Sequence, residues 1–351
     1  MPERDALLEV NDLKRHFDVS PPALDRLLKS KKRLAVKALD GVSFTVRRGE
    51  TFSLVGESGC GKTTVARCIV GLLSPTAGNI VFDGVDISRL RQRAAVAPFR
   101  RRLQMIFQDP YASLNPRWRV RKIIAEPLVT HGLVANKGEL RARVDDLLEQ
   151  VRLSPADGDK FPHEFSGGQR QRISIARALA AHPEFLVCDE PTSALDVSVQ
   201  AAILNLLADL QTTEHVTYLF ISHDLGLVRY LSDRIVVLYL GRVMEIGPSE
   251  TVFAGPHHPY TEALFSAVPS LDGERPSRIR LTGEIPSAAD PPSGCVFHTR
   301  CPRRLPTGIC ESTEPPLLEE EPGHQIRCHI PIAELRTIQL NESAPSQGGT
   351  S

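Results

Sequence analysis

The sequence predicts an α/β fold with a mixed core sheet and flanking helices, joined to an antiparallel β-subdomain, a helical subdomain and a small cysteine-containing C-terminal extension. Three observations carry this. Short apolar runs at 185–188, 218–221 and 235–240 read as strands buried on both faces of a parallel sheet. A glycine-rich segment, 56–64, sits between a short apolar strand at 51–55 and a helical stretch at 65–73. Between 111 and 161 the apolar period changes to three and four, with Val144, Leu147, Leu148 and Val151 on one helix face.

Taken in order, residues 7–52 alternate and break at Arg48-Gly49, with Val42, Phe44 and Val46 on one face, so they form the antiparallel β-subdomain. The basic insert at 27–34 reads as a loop. Charge adds a constraint on partners. With 42 basic and 42 acidic residues the formal charge is zero, which argues against a nucleic-acid surface. No apolar run approaches the roughly 20 residues that a bilayer requires. The N-terminus lacks the basic-then-apolar pattern of a signal peptide, so a cytoplasmic location is expected.

The glycine-rich segment fits G-x-x-x-x-G-K-[ST] at Gly56, Gly61, Lys62 and Thr63. Backbone N–H groups of Gly56, Ser58, Gly59, Cys60, Gly61 and Thr64 would face phosphates at the start of a helix. Lys62 would reach the outer phosphates, and the Thr63 hydroxyl would meet magnesium, a cation that prefers hard oxygens. The strand at 185–188 closes on Asp189 and Glu190. Acids at the carboxyl end of a buried strand face the ligand crevice, so Asp189 is expected to hold magnesium and Glu190 to act as general base. Ser166 and two glycines precede a stretch with Ile173, Ala176 and Leu179 at helical spacing, a second helix start suited to an anion.

These motifs together resemble the ATP-binding subunit of an ABC transporter, a P-loop NTPase. Phe165-Ser166-Gly167-Gly168-Gln169 is similar to the family signature, with Phe165 where Leu is more usual. Asp196 matches the D-loop, His223 the switch histidine and Gln108 the Q-loop glutamine. The resemblance implies a head-to-tail pair, each ATP held between the glycine-rich loop of one subunit and Ser166, Gly167, Gly168 and Gln169 of the other. It implies Glu190 and His223 as catalytic groups, and magnesium held by Thr63, Gln108 and Asp189. It places Phe17 against adenine, with Val36 as the fallback. On this reading 1–260 form the ATPase domain, with its helical subdomain at 111–165, 261–335 form the extension, and 336–351 form an unstructured tail.

Segments 108–117 and 257–264 and the insert before Val36 are similar to dipeptide and oligopeptide importers, in particular to the second of their two ATPases. A nickel or glutathione importer of the same subfamily is the alternative. The implied partners are a related ATPase, two membrane permeases and, indirectly, an extracytoplasmic peptide-binding protein. They would assemble on the cytoplasmic face of the inner membrane.

Of seven cysteines, Cys60, Cys68 and Cys188 fall in core segments. The other four, Cys295, Cys301, Cys310 and Cys328, lie among prolines with spacing C-x5-C-x8-C-x17-C. Disulfides are disfavoured in a reducing cytoplasm. Soft thiolates suit zinc or an iron–sulfur cluster, and the spacing leaves zinc, a cluster and no metal open. His298, His324 and His329 would serve zinc. Similarity to peptide-importer ATPases that carry a [4Fe–4S] cluster on such a set favours the cluster.

Overall fold

Alternating apolar residues build the first of two sheets. The computed structural model describes residues 5–20, 34–90, 92–193, 195–267 and 279–343. Strands β1 (Ala6–Asp18) and β2 (Ala35–Arg47) pair antiparallel, and β4 (Ala77–Phe82) and β5 (Val85–Asp86) complete the order β2-β1-β4-β5. Val42, Phe44 and Val46 are buried together, as alternation requires when one face meets a core. Apart from Leu34, the basic insert lies outside the described residues.

The larger sheet runs through β3 (Thr51–Val55), β6 (Leu103–Ile106), β7 (Phe185–Asp189), β8 (Thr217–Ile221) and β9 (Arg234–Tyr239). These five are parallel, in the order β9-β3-β8-β7-β6. Every residue of β3, β7 and β8 is buried, which explains their near-continuous apolar runs. The register sets Leu54 and Asp189 both against Ile221, and Ile106 against Cys188. Four strands therefore end at one level, and the segments that follow them share one rim.

The helix after the glycine-rich segment is Lys62–Ile69, shorter and earlier than the expected 65–73. Gly71, in the left-handed region at φ 73°, ends it, as glycine commonly does just past a helix. Helices Val120–Thr130 and Lys137–Gln150 form the helical region. Val144, Leu147, Leu148 and Val151 pack there with Ile123, Ile124 and Ile173. Asn136 caps the second helix, its side chain accepting from the Glu139 N–H at 3.0 Å. Among the described residues no helix is long and apolar enough to cross a membrane.

The C-terminal extension joins the large sheet. Strand β10 (Arg242–Pro248) pairs antiparallel with β9 and with β12 (His324–Ile326), and β11 (Leu318–Glu321) closes the edge. Glu245 on β10 is fully buried, accepts from the His258 N–H at 2.8 Å, and lies 2.8 Å from His324 Nε2. Tyr239, Tyr260 and Phe297 form a buried triangle, with ring centroids 4.8–5.3 Å apart. The expected unstructured tail from 336 is corrected: helix Ile332–Ser343 covers its first part. Buried Ile332 and Leu335 anchor that helix, and Gln339 exchanges two hydrogen bonds with the backbone of His257. Residues 344–351 lie outside the described residues.

Phe297→Ala should remove the ring that locks the extension to β9 and cost about 3–5 kcal/mol, as for other buried Phe-to-Ala changes. Urea unfolding of the full chain measures this, with a loss under about 1 kcal/mol showing that the triangle is not structural.

Candidate functional site

At the rim, β3 runs into Gly56 and the loop curls back to start the helix at Lys62. Two glycines are demanded by close approach: a Cβ on Gly56 would stand 2.3 Å from the Leu238 carbonyl oxygen, and one on Gly61 2.6 Å from that of Ala38. Both also lie at positive φ. The loop borders a cavity of about 490 Å³, lined by Ser58, Gly59, Gly61, Lys62, Thr63 and Thr64. Lys62 Nζ donates to the carbonyls of Gly56 at 2.8 Å and Glu57 at 3.0 Å. Gly56 and Cys60 stand behind this lining. The Cys60 thiol is buried, which pushes its pKa up, with Sγ 3.9 Å from Lys62 Nζ.

Three more strands contribute one residue each to the same cavity: Gln108 after β6, Glu190 after β7 and His223 after β8. Glu190 is their meeting point. Its Oε2 accepts from Gln108 Nε2 at 2.8 Å and lies 3.4 Å from His223 Nδ1. Its backbone is left-handed, at φ 46°, and its N–H donates to the Ile221 carbonyl at 3.0 Å. A non-glycine residue held there is strained, and the bond to β8 keeps it in place. Asp189 is 3% exposed and accepts from the Thr63 hydroxyl at 3.1 Å. Burial pushes its carboxyl above the usual range, the Glu190 charge adds to this, and the Thr63 bond opposes it. Thr63 and Gln108 line the cavity, and Asp189 stands behind that lining, joined to it through Thr63; their oxygens are hard donors of the kind magnesium takes.

Comparison with known proteins bears on this arrangement. The family model described as "ABC transporter" matches residues 39–193, and "Oligopeptide/dipeptide transporter, C-terminal region" matches 244–310. YkfD of Bacillus subtilis (strain 168) is 53% identical over 327 residues, which are 92% of this chain and 95% of the relative. The chain belongs to the ABC transporter ATP-binding family. The oligopeptide transport ATP-binding protein AppF of the same organism is 48% identical, over 93% of this chain and 98% of its own. Among solved structures, the dimeric ATP-binding cassette MJ0796, bound to ADP and Pi after hydrolysis, is 27% identical with a TM-score of 0.60. That match covers 69% of this chain and 98% of the cassette. The family and fold expected from the motifs are thus established, and with them an ATPase.

The ABC signature segment lies elsewhere. Ser166, Gly167, Gly168, Gln169 and Asp196 do not line the cavity. Ser166 caps helix Gly167–Leu179 in a reciprocal box with Gln169, at 3.4 and 3.0 Å. No acidic residue occupies the first turn, and Ser166, Gly167 and Gln169 are exposed. Phe165 is buried in the helical core. Gly168 allows a close crossing: a Cβ there would stand 2.4 Å from Val199 Cγ1 of helix Val197–Glu214. Asp196 sits exposed at the start of that helix.

Phe17 and Val36 pair across β1 and β2 but do not line the cavity, and the β2 residue that does is Ala38. The Phe17 ring instead carries the Arg15 guanidinium at 4.5 Å. Cys60, Cys68 and Cys188 are core residues. The other four cysteines share one corner. Burial, and then the neighbouring thiols, push Cys301 and Cys328 up to about 12. The donor chemistry fits a soft metal centre. The arrangement does not form one, since among the described residues no three His, Cys, Asp or Glu are grouped to hold a metal ion. His324 is committed to Glu245, His298 to the Cys295 carbonyl at 2.9 Å and His329 to the Thr313 carbonyl at 2.9 Å.

Sequence reasoning missed Ala38 and also Arg300, whose guanidinium bonds Glu57 within the glycine-rich loop. The partners are 243 residues apart and belong to no common motif. For the buried acid, the sign of the shift gives a test. An acid whose folded pKa is raised subtracts stability at pH above its unfolded pKa, and the loss fades as pH falls and the group protonates. Asp189→Asn should therefore raise the melting temperature by about 2 °C at pH 7, without nucleotide or magnesium, with a smaller gain near pH 4. An unchanged or lower melting temperature at pH 7 would show that the carboxylate is accommodated at no cost.

Proposed function

We propose that this chain hydrolyses ATP as one half of a head-to-tail ATPase pair that drives peptide uptake through two membrane permeases. The observation that carries the reading is the convergence of Gln108 and His223 on one oxygen of Glu190, at the rim of the cavity that the phosphate loop borders. Lys62 and the loop N–H groups bind the triphosphate. Thr63, Asp189 and Gln108 hold magnesium, which when bound neutralises charge on the outer phosphates. Glu190, aimed by its two neighbours, takes the proton of the attacking water, and His223 steadies that water against the terminal phosphate.

The exposed signature helix start supplies the complementary anion site for a second subunit. A single chain holds the two half-sites apart, so pairing joins them, and the dimeric state of MJ0796 favours this. The names of AppF and of the C-terminal family region favour peptides as cargo. On this reading the partner is a related ATPase, a binding protein delivers peptide from outside, and the chain works at the cytoplasmic face of the membrane. Phe17, on β1 outside the cavity lining and with Arg15 over its ring, is the aromatic that adenine would meet on this reading. The soft thiols of Cys295, Cys301, Cys310 and Cys328 support a [4Fe–4S] cluster as the finer reading, its binding drawing together side chains that, as they stand among the described residues, are not grouped to hold a metal ion.

Two experiments test these roles. Glu190→Gln should keep ATP binding while slowing hydrolysis by on the order of a hundredfold or more in the assembled transporter, and unchanged turnover would move the base elsewhere. Anaerobic purification should yield a brown protein with iron and acid-labile sulfide. A colourless, iron-free preparation that is fully folded would remove the cluster.

A further inference from the structure

We propose that Arg300, carried by the C-terminal extension, is a positioning residue for the phosphate loop, clamping and neutralising Glu57 so that the loop can grip a triphosphate. The inference rests on the reading of that loop as the nucleotide site. Arg300 Nη1 donates to Glu57 Oε2 at 2.7 Å and Nη2 donates to Oε1 at 3.1 Å, a two-pronged match between fork and carboxylate. The arginine side chain is 7% exposed and the glutamate 24%, so water screens the pair weakly.

Glu57 is pinned at two further points. Its N–H donates to the Tyr260 hydroxyl at 2.8 Å, and its carbonyl accepts from Lys62 Nζ at 3.0 Å. One residue thus links the extension, the 259–265 helix and the lysine expected to meet the phosphates. Arg300 is itself firmly placed. It sits in a run of turns from Cys295 to Cys301, with N–H groups of His298, Arg300 and Cys301 donating back to the carbonyls of Cys295, Phe297 and His298. Phe297 anchors that run in the aromatic triangle, and Nη1 also donates to the Tyr239 hydroxyl at 3.4 Å. The four-thiol corner therefore reaches the phosphate loop through one side chain.

Charge explains why a bridge is needed at this point. An unpaired carboxylate in a loop that binds phosphates repels its ligand, and the repulsion is strongest where water is partly excluded. Arg300 cancels that charge while fixing the backbone. The prediction differs in sign from that of a purely structural link: removing the cation alone should hurt, and removing the glutamate's charge as well should help.

The test uses the full-length chain with magnesium and a fluorescent ATP analogue, together with kcat and KM for ATP hydrolysis. Arg300→Ala should raise Kd and KM by about tenfold with little change in kcat, a coupling within the range of contacting pairs. Glu57→Gln in the Arg300→Ala background should recover most of the affinity that Arg300→Ala loses. Should Arg300→Ala fail to fold, Arg300→Gln and its Glu57→Gln double variant carry the same comparison. Wild-type affinity in the Arg300 variants, or a double variant as weak as the single one, overturns the proposal. Lys62→Ala separates the two levels: if it binds ATP normally, the site reading itself fails, whereas a defective Lys62→Ala beside normal Arg300 variants removes only the clamp.

Discussion

The structure depends on one constraint of register. Parallel pairing sets the ends of β3, β6, β7 and β8 at a common level, so the loop after β3 and a residue one or two positions past each of β6, β7 and β8 reach the same cavity. Gln108, Glu190 and His223 are far apart in sequence and share no local contact that would gather them. A one-residue slip between any two of these strands would turn the side chain away. The buried apolar runs prevent slippage, so the core sheet sets the geometry of the chemistry above it. Glu190 adds a local refinement, since its left-handed backbone and its bond to Ile221 tie the acid to the neighbouring strand.

Much of this was legible in the residues themselves. Gly56, Gly61, Lys62 and Thr63 are spaced by the covalent geometry of a turn that faces phosphates. The run from Phe185 to Glu190 shows burial first and charge last, which is how a strand ending at a ligand crevice must read. The antiparallel face of Val42, Phe44 and Val46 followed from period-two alternation, and the helical region from spacings of three and four. Each of these signals is local, carried within one element or one turn.

What escaped was long-range or weakly periodic. Ala38 reaches the cavity because β2 passes beside the loop, a contact with no composition of its own. Arg300 and Glu57 meet only after the whole sheet is formed. Gly168 looks like an anion-loop glycine, yet its lack of a Cβ also serves a close crossing with Val199. Helix Ile332–Ser343 was obscured by a polar, serine-rich neighbourhood, though two buried residues and one glutamine suffice to hold it. The four cysteines show the opposite limit. They come near one another, but among the described residues no three His, Cys, Asp or Glu are grouped to hold a metal ion.

Glu245 has a consequence for the unity of the chain. This carboxylate is sealed inside and is met by a backbone N–H from the segment before the 259–265 helix and by His324 from the far hairpin. Cutting the polypeptide after residue 260 would strip away His324 together with β12, the strand paired against Glu245, so the acid would lose its partner and β10 would become an open sheet edge. A shortened protein would then be more apt to unfold or aggregate than to survive as a minimal motor. The terminal region is thus a keystone of the cassette, and a swap between relatives would have to carry this glutamate and this histidine together.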